Sequence, residues 1–179
     1  SPFSAQDFKE FQDAQARLFW AMGMRPCDRY VHALNFTLFV GGPDVIGAQK
    51  TGALCIWAGT IPSERLLFIM KEFKPTITWT TPSYAWFLGE TAQKEGFDPA
   101  KDLSINKIIV AGEPGGSIAS TRNAIEKLWN AKVYDFYGLS DIFGANAGVC
   151  EEQNGLHLTE DHHLLEVLDP GTLEPVPEG

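Results

Sequence analysis

Between residues 30 and 137 the chain repeatedly alternates short runs rich in β-branched and aromatic residues with longer runs of helical period, separated by glycine or proline. Residues 30–34, 53–57, 76–80, 107–111 and 132–137 read as strands. Residues 43–51, 62–73, 82–95 and 117–130 read as helices, with Pro43, Pro62 and Pro82 at their starts and Gly52, Pro75 and Gly96 past their ends. An amphipathic helix precedes them, opened by Ser4 and Asp7, carrying Phe8, Phe11, Leu18, Phe19 and Met22 inward, and stopped by Gly23. Such alternation predicts an α/β fold: a parallel sheet flanked by helices, with right-handed crossovers and ligands at the C-terminal ends of its strands. After Gly144 the pattern changes. Residues 147–151, 156–159 and 164–168 read as short strands, with an Asn154-Gly155 turn, predicting an antiparallel β extension. The expected division is residues 1–145 and 146–179, the latter ending in turns at Asp169-Pro170-Gly171 and over residues 175–179.

A length of 179 residues with 44% hydrophobic and 21% charged content allows one ordinary globular core. The longest apolar runs fall far short of the ~20 residues of a membrane span, so no membrane partner is expected. A formal net charge of −9 with no cluster of basic and aromatic residues argues against nucleic acid. It does not argue against small phosphates, which helix N-termini, glycine-rich turns and Mg²⁺ bind locally. The three cysteines, Cys27, Cys55 and Cys150, are odd in number and widely spaced, which suits free thiols in a reducing cytoplasm. The start of the chain lacks the basic and apolar regions of a signal peptide.

Two turns stand at expected strand ends: Ala111-Gly112-Glu113-Pro114-Gly115-Gly116-Ser117 and Tyr134-Asp135-Phe136-Tyr137-Gly138-Leu139-Ser140-Asp141. The first allows close backbone approach, but it has neither a P-loop ending nor dinucleotide spacing. By itself it is equally a tight turn in which Pro114 sets up the next helix. The second places an aromatic, a glycine, a hydroxyl and a carboxylate in succession. Those groups can stack on a base, admit it, bond phosphate and hold Mg²⁺. The plainer readings are Tyr137 as a core aromatic, Asp135 as a turn former and Asp141 as a helix cap.

The Tyr137-Gly138-Leu139-Ser140-Asp141 run resembles the Tyr-Gly-x-Ser/Thr-Glu core of adenylate-forming enzymes. With Thr81-Pro82-Ser83-Tyr84, Gly112-Glu113-Pro114, Asn154-Gly155-Leu156-His157 and Glu160-Asp161-His162 in the same order, the chain resembles an internal piece of the phenylacetate-CoA ligases along essentially its whole length. The resemblance implies a Rossmann-like subdomain of an adenylate-forming N-terminal domain, which joins a carboxylic acid, ATP and coenzyme A with Mg²⁺. It implies that Tyr137 stacks on adenine, that Asp135 accepts from its amino group, and that Gly112, Glu113 and Pro114 line the base. Phe136, Gly138 and Leu139 complete that cofactor-binding set. It assigns Ser140 to the α-phosphate and Asp141 to magnesium, as the catalytic pair. The family usually has Glu at the last position, so Asp141 is one methylene short and reaches metal through water.

In the family the stretch from Leu34 to Gly42 forms an acyl pocket, and aromatic walls with glycine access suit a flat apolar acid, an arylacetate such as phenylacetate. The substrate-binding candidates are Phe36, Phe39, Gly41, Gly42 and Tyr84. Leu34 and Phe36 replace tyrosines associated with phenylacetate ligases, and Ala111-Gly112 inverts the usual Gly-Ala order. Cys150 and His157 are candidate Zn²⁺ ligands, completed in some similar ligases by a downstream Cys-x-Cys-Gly segment. The adjacent His162 and His163 would face opposite sides of a strand and not share a metal. The 179 residues show no Ser/Thr/Gly-rich phosphate loop, no Thr-Gly-Asp ribose motif and no lid with a catalytic lysine. The isolated chain is therefore expected to be inactive. A homodimer is allowed for. Two other classes compete: a nucleotide-dependent oxidoreductase, which lacks its Gly-x-Gly-x-x-Gly turn here, and a non-catalytic nucleotide-binding or interaction domain that keeps the fold.

Overall fold

A computed structural model of the chain describes residues 3–39 and 41–176, so Val40 in the expected acyl wall and the last part of the terminal turn lie outside the described residues. The helices are α1 (Ala5–Ala21), α2 (Asp44–Lys50), α3 (Ser63–Phe73), α4 (Pro82–Lys94), α5 (Pro99–Asp102) and α6 (Ala119–Trp129). The strands are β1 (Arg29–His32), β2 (Leu54–Trp57), β3 (Ile77–Thr80), β4 (Lys107–Val110), β5 (Lys132–Tyr137), β6 (Ala147–Val149) and β7 (Leu156–Leu158). They form one seven-stranded sheet in the order β2-β1-β3-β4-β5-β6-β7. β1 to β5 are parallel, whereas β5, β6 and β7 are antiparallel neighbours.

The period of two along the strands sorts side chains into two cores. Tyr30, Trp79, Ile109, Tyr134 and Phe136 pack with Phe11, Leu18 and Phe19 of α1 and Val45 and Ala48 of α2. Val31, Ile108, Val110 and Val133 pack on the other face with Leu66, Leu67 and Met70 of α3, Leu88 of α4 and Ile125 and Trp129 of α6. The second layer is pinned by the Trp129 indole, which donates to the Ala85 carbonyl at 2.9 Å and so joins α6 to α4 without leaving a buried N–H unpaired.

Local chemistry sets the helix boundaries. Ser4 and Asp7 form a reciprocal capping box, the Asp7 N–H donating to the Ser4 hydroxyl at 3.1 Å and the Ser4 N–H to the Asp7 carboxylate at 2.9 Å. The Thr81 hydroxyl accepts from the Tyr84 N–H at 3.2 Å, and Pro82 occupies the first turn, where its missing N–H costs nothing. The observed strands are mostly shorter by a residue or two than their apolar runs.

One expectation is corrected, and one element is added. Residues 164–168 do not form a strand. Their only ladder contact among the described residues is a single bridge from Leu168 to Pro175, and Leu164 is 92% exposed, so the apolar run has no surface to cover. The four-residue α5 was not foreseen; Asp98 caps it by accepting from the Ala100 N–H at 3.0 Å. Among the described residues no helix is long and apolar enough to cross a membrane.

Candidate functional site

The parallel strands end on one side of the sheet, and a cavity of about 230 Å³ opens there. The segment after β1 contributes Leu34, Leu38, Phe39 and Gly41; the end of β3 contributes Trp79, Thr80 and Thr81. Ala111 and Gly112 follow β4, while Phe136, Gly138 and Ser140 come from β5 and the turn beyond it. Trp79 is its buried floor, with the Phe136 ring 4.8 Å away on one side and the Phe19 ring edge-on at 5.7 Å below. The lining is apolar except for the Thr80, Thr81 and Ser140 side chains, and contains no Lys or Arg among the described residues.

The two turns singled out in the sequence meet physically. Val110 pairs with Asp135 in register, so the chain leaves β4 and β5 side by side. Gly112 takes φ +82°, a conformation that only glycine adopts freely. Four residues on, Gly116 lies so close to the Asp135 carboxylate and the Val110 side chain that a Cβ there would overlap both. The Ser117 hydroxyl donates to Asp135, tying the turn back to β5. Glu113 accepts from the Ser83 hydroxyl at 2.8 Å and the Ser83 N–H at 3.2 Å, and the Ser83 hydroxyl holds its carboxyl below the usual range.

Alternation along β5 divides the candidates by face. Phe136 points to the α1 side, while Asp135 and the half-exposed Tyr137 point with Val133 to the α4–α6 side. On that second side Glu113 and Pro114 line a shallower depression with Ser83, Trp86 and Thr121. Leu139, Ser140 and Asp141 follow in an exposed turn, with the Leu139 N–H donating to Asn146 at 2.6 Å.

Of the acyl candidates, Phe39 and Gly41 line the strand-end cavity. Phe36 does not: its ring stacks between His32, at 4.7 Å, and Trp57, at 5.8 Å, and with Gly42 it lines a separate shallow depression over the edge strand β2. Tyr84 also turns away, its hydroxyl 3.0 Å from that of Ser63. Leu34 and Leu38, inside the expected acyl stretch, also line the cavity, as do Trp79, Thr80 and Thr81, and the strand-end rule marks the end of β3 as readily as those of β4 and β5.

Next to the segment after β1 lies a buried polar cluster that periodicity gives no sign of. His32 Nε2 is 2.8 Å from both the Gly41 carbonyl and an Asp44 carboxylate oxygen, and Tyr30 donates to Asp44. All three side chains are fully buried. Burial pushes the Tyr30 phenol well above its ordinary value of 10.0, assisted by the Asp44 charge, so it stays a donor. Burial raises the Asp44 carboxyl too. It opposes charge on His32, but the Asp44 carboxylate and the Gly41 carbonyl outweigh it and leave that imidazole raised. Cys55, beside the cluster, is pushed up to about 12 and remains a thiol.

One carboxylate and one hydroxyl, Asp141 and Ser140, suit a hard cation that keeps most of its water and shares phosphate oxygens. Of the zinc candidates, Cys150 is partly buried and His157 is exposed on β7 opposite Gly148; among the described residues no group of three or more His, Cys, Asp or Glu could hold a metal.

No protein-family model matches the chain. It is 34% identical to a phenylacetate-coenzyme A ligase of Thermus thermophilus and 30% identical to one of Pseudomonas putida, in each case over 99% of this chain and 40% of the relative. The chain thus spans about 40% of the length of the curated relatives it matches. Among solved structures, 2-hydroxyisobutyryl-CoA ligase in an open conformation, in complex with 2-HIB-AMP and CoA, superposes with a TM-score of 0.90 at 31% identity, over 99% of this chain and 42% of that one. With the strand-end cavity and the ordered motifs around it, these likenesses place the chain in the adenylate-forming CoA ligase family, among the relatives of phenylacetate-CoA ligase.

Proposed function

We propose that this chain supplies the acyl chamber and much of the adenylate site of an ATP-dependent acid–CoA ligase. In the first half-reaction a carboxylate oxygen attacks the α-phosphorus of ATP, giving acyl-AMP and pyrophosphate. In the second the CoA thiol attacks the acyl carbon and AMP leaves. The observation that carries the reading is the division of the site by β5: an apolar chamber of Trp79, Phe136, Leu34 and Phe39 on one face, and Asp135 and the half-exposed Tyr137 on the other. Gly112, Gly138 and Ser140 stand at the mouth of the chamber.

In this reading the acid enters the chamber with its carboxylate toward Ser140. The Tyr137 face stacks on adenine, Asp135 accepts from the adenine amino group, and the backbone at Gly112, Glu113 and Pro114 covers the base. The Ser140 hydroxyl donates to an α-phosphate oxygen. Mg²⁺, when bound near Asp141, neutralises phosphate charge. Charge must also be met by cations from outside this lining, which has none. The 179-residue chain by itself is therefore expected to release no pyrophosphate above background with any acid. Robust acyl-AMP formation by the chain alone would refute this division of labour.

The decisive measurement is pyrophosphate release by the complete gene product with aryl, arylacetic, short hydroxy and fatty acids plus CoA. Relatives named for phenylacetate and for 2-hydroxyisobutyrate stand at similar identity, so likeness does not choose the acid. The apolar chamber favours an aryl or arylacetic acid. Asp141→Ala is expected to lower the adenylation rate about a hundredfold. Because Asp141 is exposed, its melting temperature should stay near wild type. A full rate in that variant would remove Asp141 from the metal role.

A further inference from the structure

The turn that carries Ser140 and Asp141 is gripped from outside by a residue pair that the reaction scheme does not use. Asn146 is only 5% exposed, and its amide spans the turn: Oδ1 accepts from the Leu139 N–H at 2.6 Å and Nδ2 donates to the Ile142 carbonyl at 2.8 Å. Those partners bracket Ser140 and Asp141. The second Nδ2 hydrogen points to His163 Nε2 at 2.7 Å. His163 Nδ1 lies 2.9 Å from the Thr159 carbonyl, which can only accept, so Nδ1 carries the proton and Nε2 is left as an acceptor for Asn146. Thr159 closes the arrangement, its hydroxyl donating to the Ala145 carbonyl at 3.0 Å and its N–H to the Asn146 carbonyl at 3.0 Å.

Within the same turn Phe143 sits at φ +60°, a conformation costly for a side chain of its size. It is kept there by rings on several sides: His162 stacked at 4.7 Å, His163 edge-on at 5.8 Å and Phe11 of α1 at 5.8 Å. A turn in this shape persists only if its surroundings over-determine it.

We infer that Asn146 and His163 form a latch that holds the Ser140–Asp141 turn in its ligand-binding shape, with Asn146 a positioning residue of the reaction. The inference rests on the reading of Ser140 and Asp141 given above. An amide is required because one group must accept from an N–H and donate to a C=O across the same turn. A carboxylate at 146 would face the Ile142 carbonyl acceptor to acceptor, and an apolar side chain would leave both backbone groups unpaired.

The test uses Asn146→Ala, His163→Phe and His163→Gln in the complete gene product. The Gln variant keeps an acceptor near the position of Nε2, while Phe keeps the ring and removes both nitrogens. Amide hydrogen exchange at Leu139 should speed up about tenfold or more in Asn146→Ala and His163→Phe. His163→Gln should stay near wild type. Acid-dependent ATP–pyrophosphate exchange should lose about tenfold in kcat in the first two variants, with the KM for the acid unchanged, and recover in His163→Gln. A Leu139 amide that exchanges equally fast in wild type and Asn146→Ala overturns the latch, as does full adenylation by a variant whose turn has loosened. If Asn146→Ala fails to fold, the two His163 variants decide the same question. If the wild type catalyses no pyrophosphate exchange with any acid, the functional reading fails, whereas the amide-exchange arm still decides whether the latch exists.

Discussion

Asp44→Ala should lower the unfolding free energy by about 3–5 kcal/mol, because it removes one partner of a fully buried polar cluster and leaves the others uncompensated. His32 would keep its bond to the Gly41 carbonyl but lose its counter-charge, and the Tyr30 hydroxyl would be stranded in the core. Denaturant unfolding measures the loss, and a change below about 1 kcal/mol would mean that water reaches the cluster.

The wild type should also show a pH signature. His32 is held above its ordinary 6.5 when folded, so the folded state binds the proton more tightly. Its stabilising contribution is complete below pH 6.5 and is lost as pH rises through the raised folded value. Asp44, also raised, acts with the same sign from a lower starting point: its contribution is present below 3.8 and lost as pH rises through its own folded value. Stability should therefore decline on the alkaline side of 6.5, and His32→Asn should flatten that decline. A wild-type stability that instead rises with pH through this window would contradict the arrangement. Because Gly41 lines the cavity, loss of the His32 bond should also loosen that part of its wall.

Trp79→Ala is expected to cost about 3–5 kcal/mol, as deletion of a buried indole leaves a void that its neighbours cannot fill. For a chain of this size that corresponds to a fall of about 10 °C in Tm. The same deletion deepens the chamber. In the complete gene product, pyrophosphate release should shift toward bulkier acids, with Trp79→Phe intermediate in both stability and acid size. A variant that is destabilised but keeps the wild-type acid preference would show that Trp79 supports the sheet without setting the depth of the acyl site.

Much of the architecture is legible in order and period. The five parallel strands and the helices between them follow from apolar runs bounded by proline and glycine, since these signals act over a few residues and do not need the rest of the fold. Ser4 with Asp7, and Pro82, mark helix starts for the same reason. The run from Leu164 to Leu168 misled because period two describes a pattern and not a partner; among the described residues those side chains have no sheet face to cover. Gly112 and Ser140 could be placed beside one cavity because both follow strands, and strand ends are local features. Phe36 could not be placed: whether its ring faced the chamber or the β2 edge depended on His32 and Trp57, which come from two different strands.

The sequence alone determined the α/β order, the strand ends at which the cavity opens and the residues that carry the family motifs, all of which are encoded by short-range spacing. Only the tertiary structure decided which side chains share a space. It made Trp79 the floor, set Asp135 and Tyr137 on the face opposite Phe136, and brought Asn146 to His163 and His32 to Asp44. The physical reason is that hydrogen bonding and packing act over a few ångströms in space, and residues far apart in the chain meet at that range only after the sheet and its helices have closed.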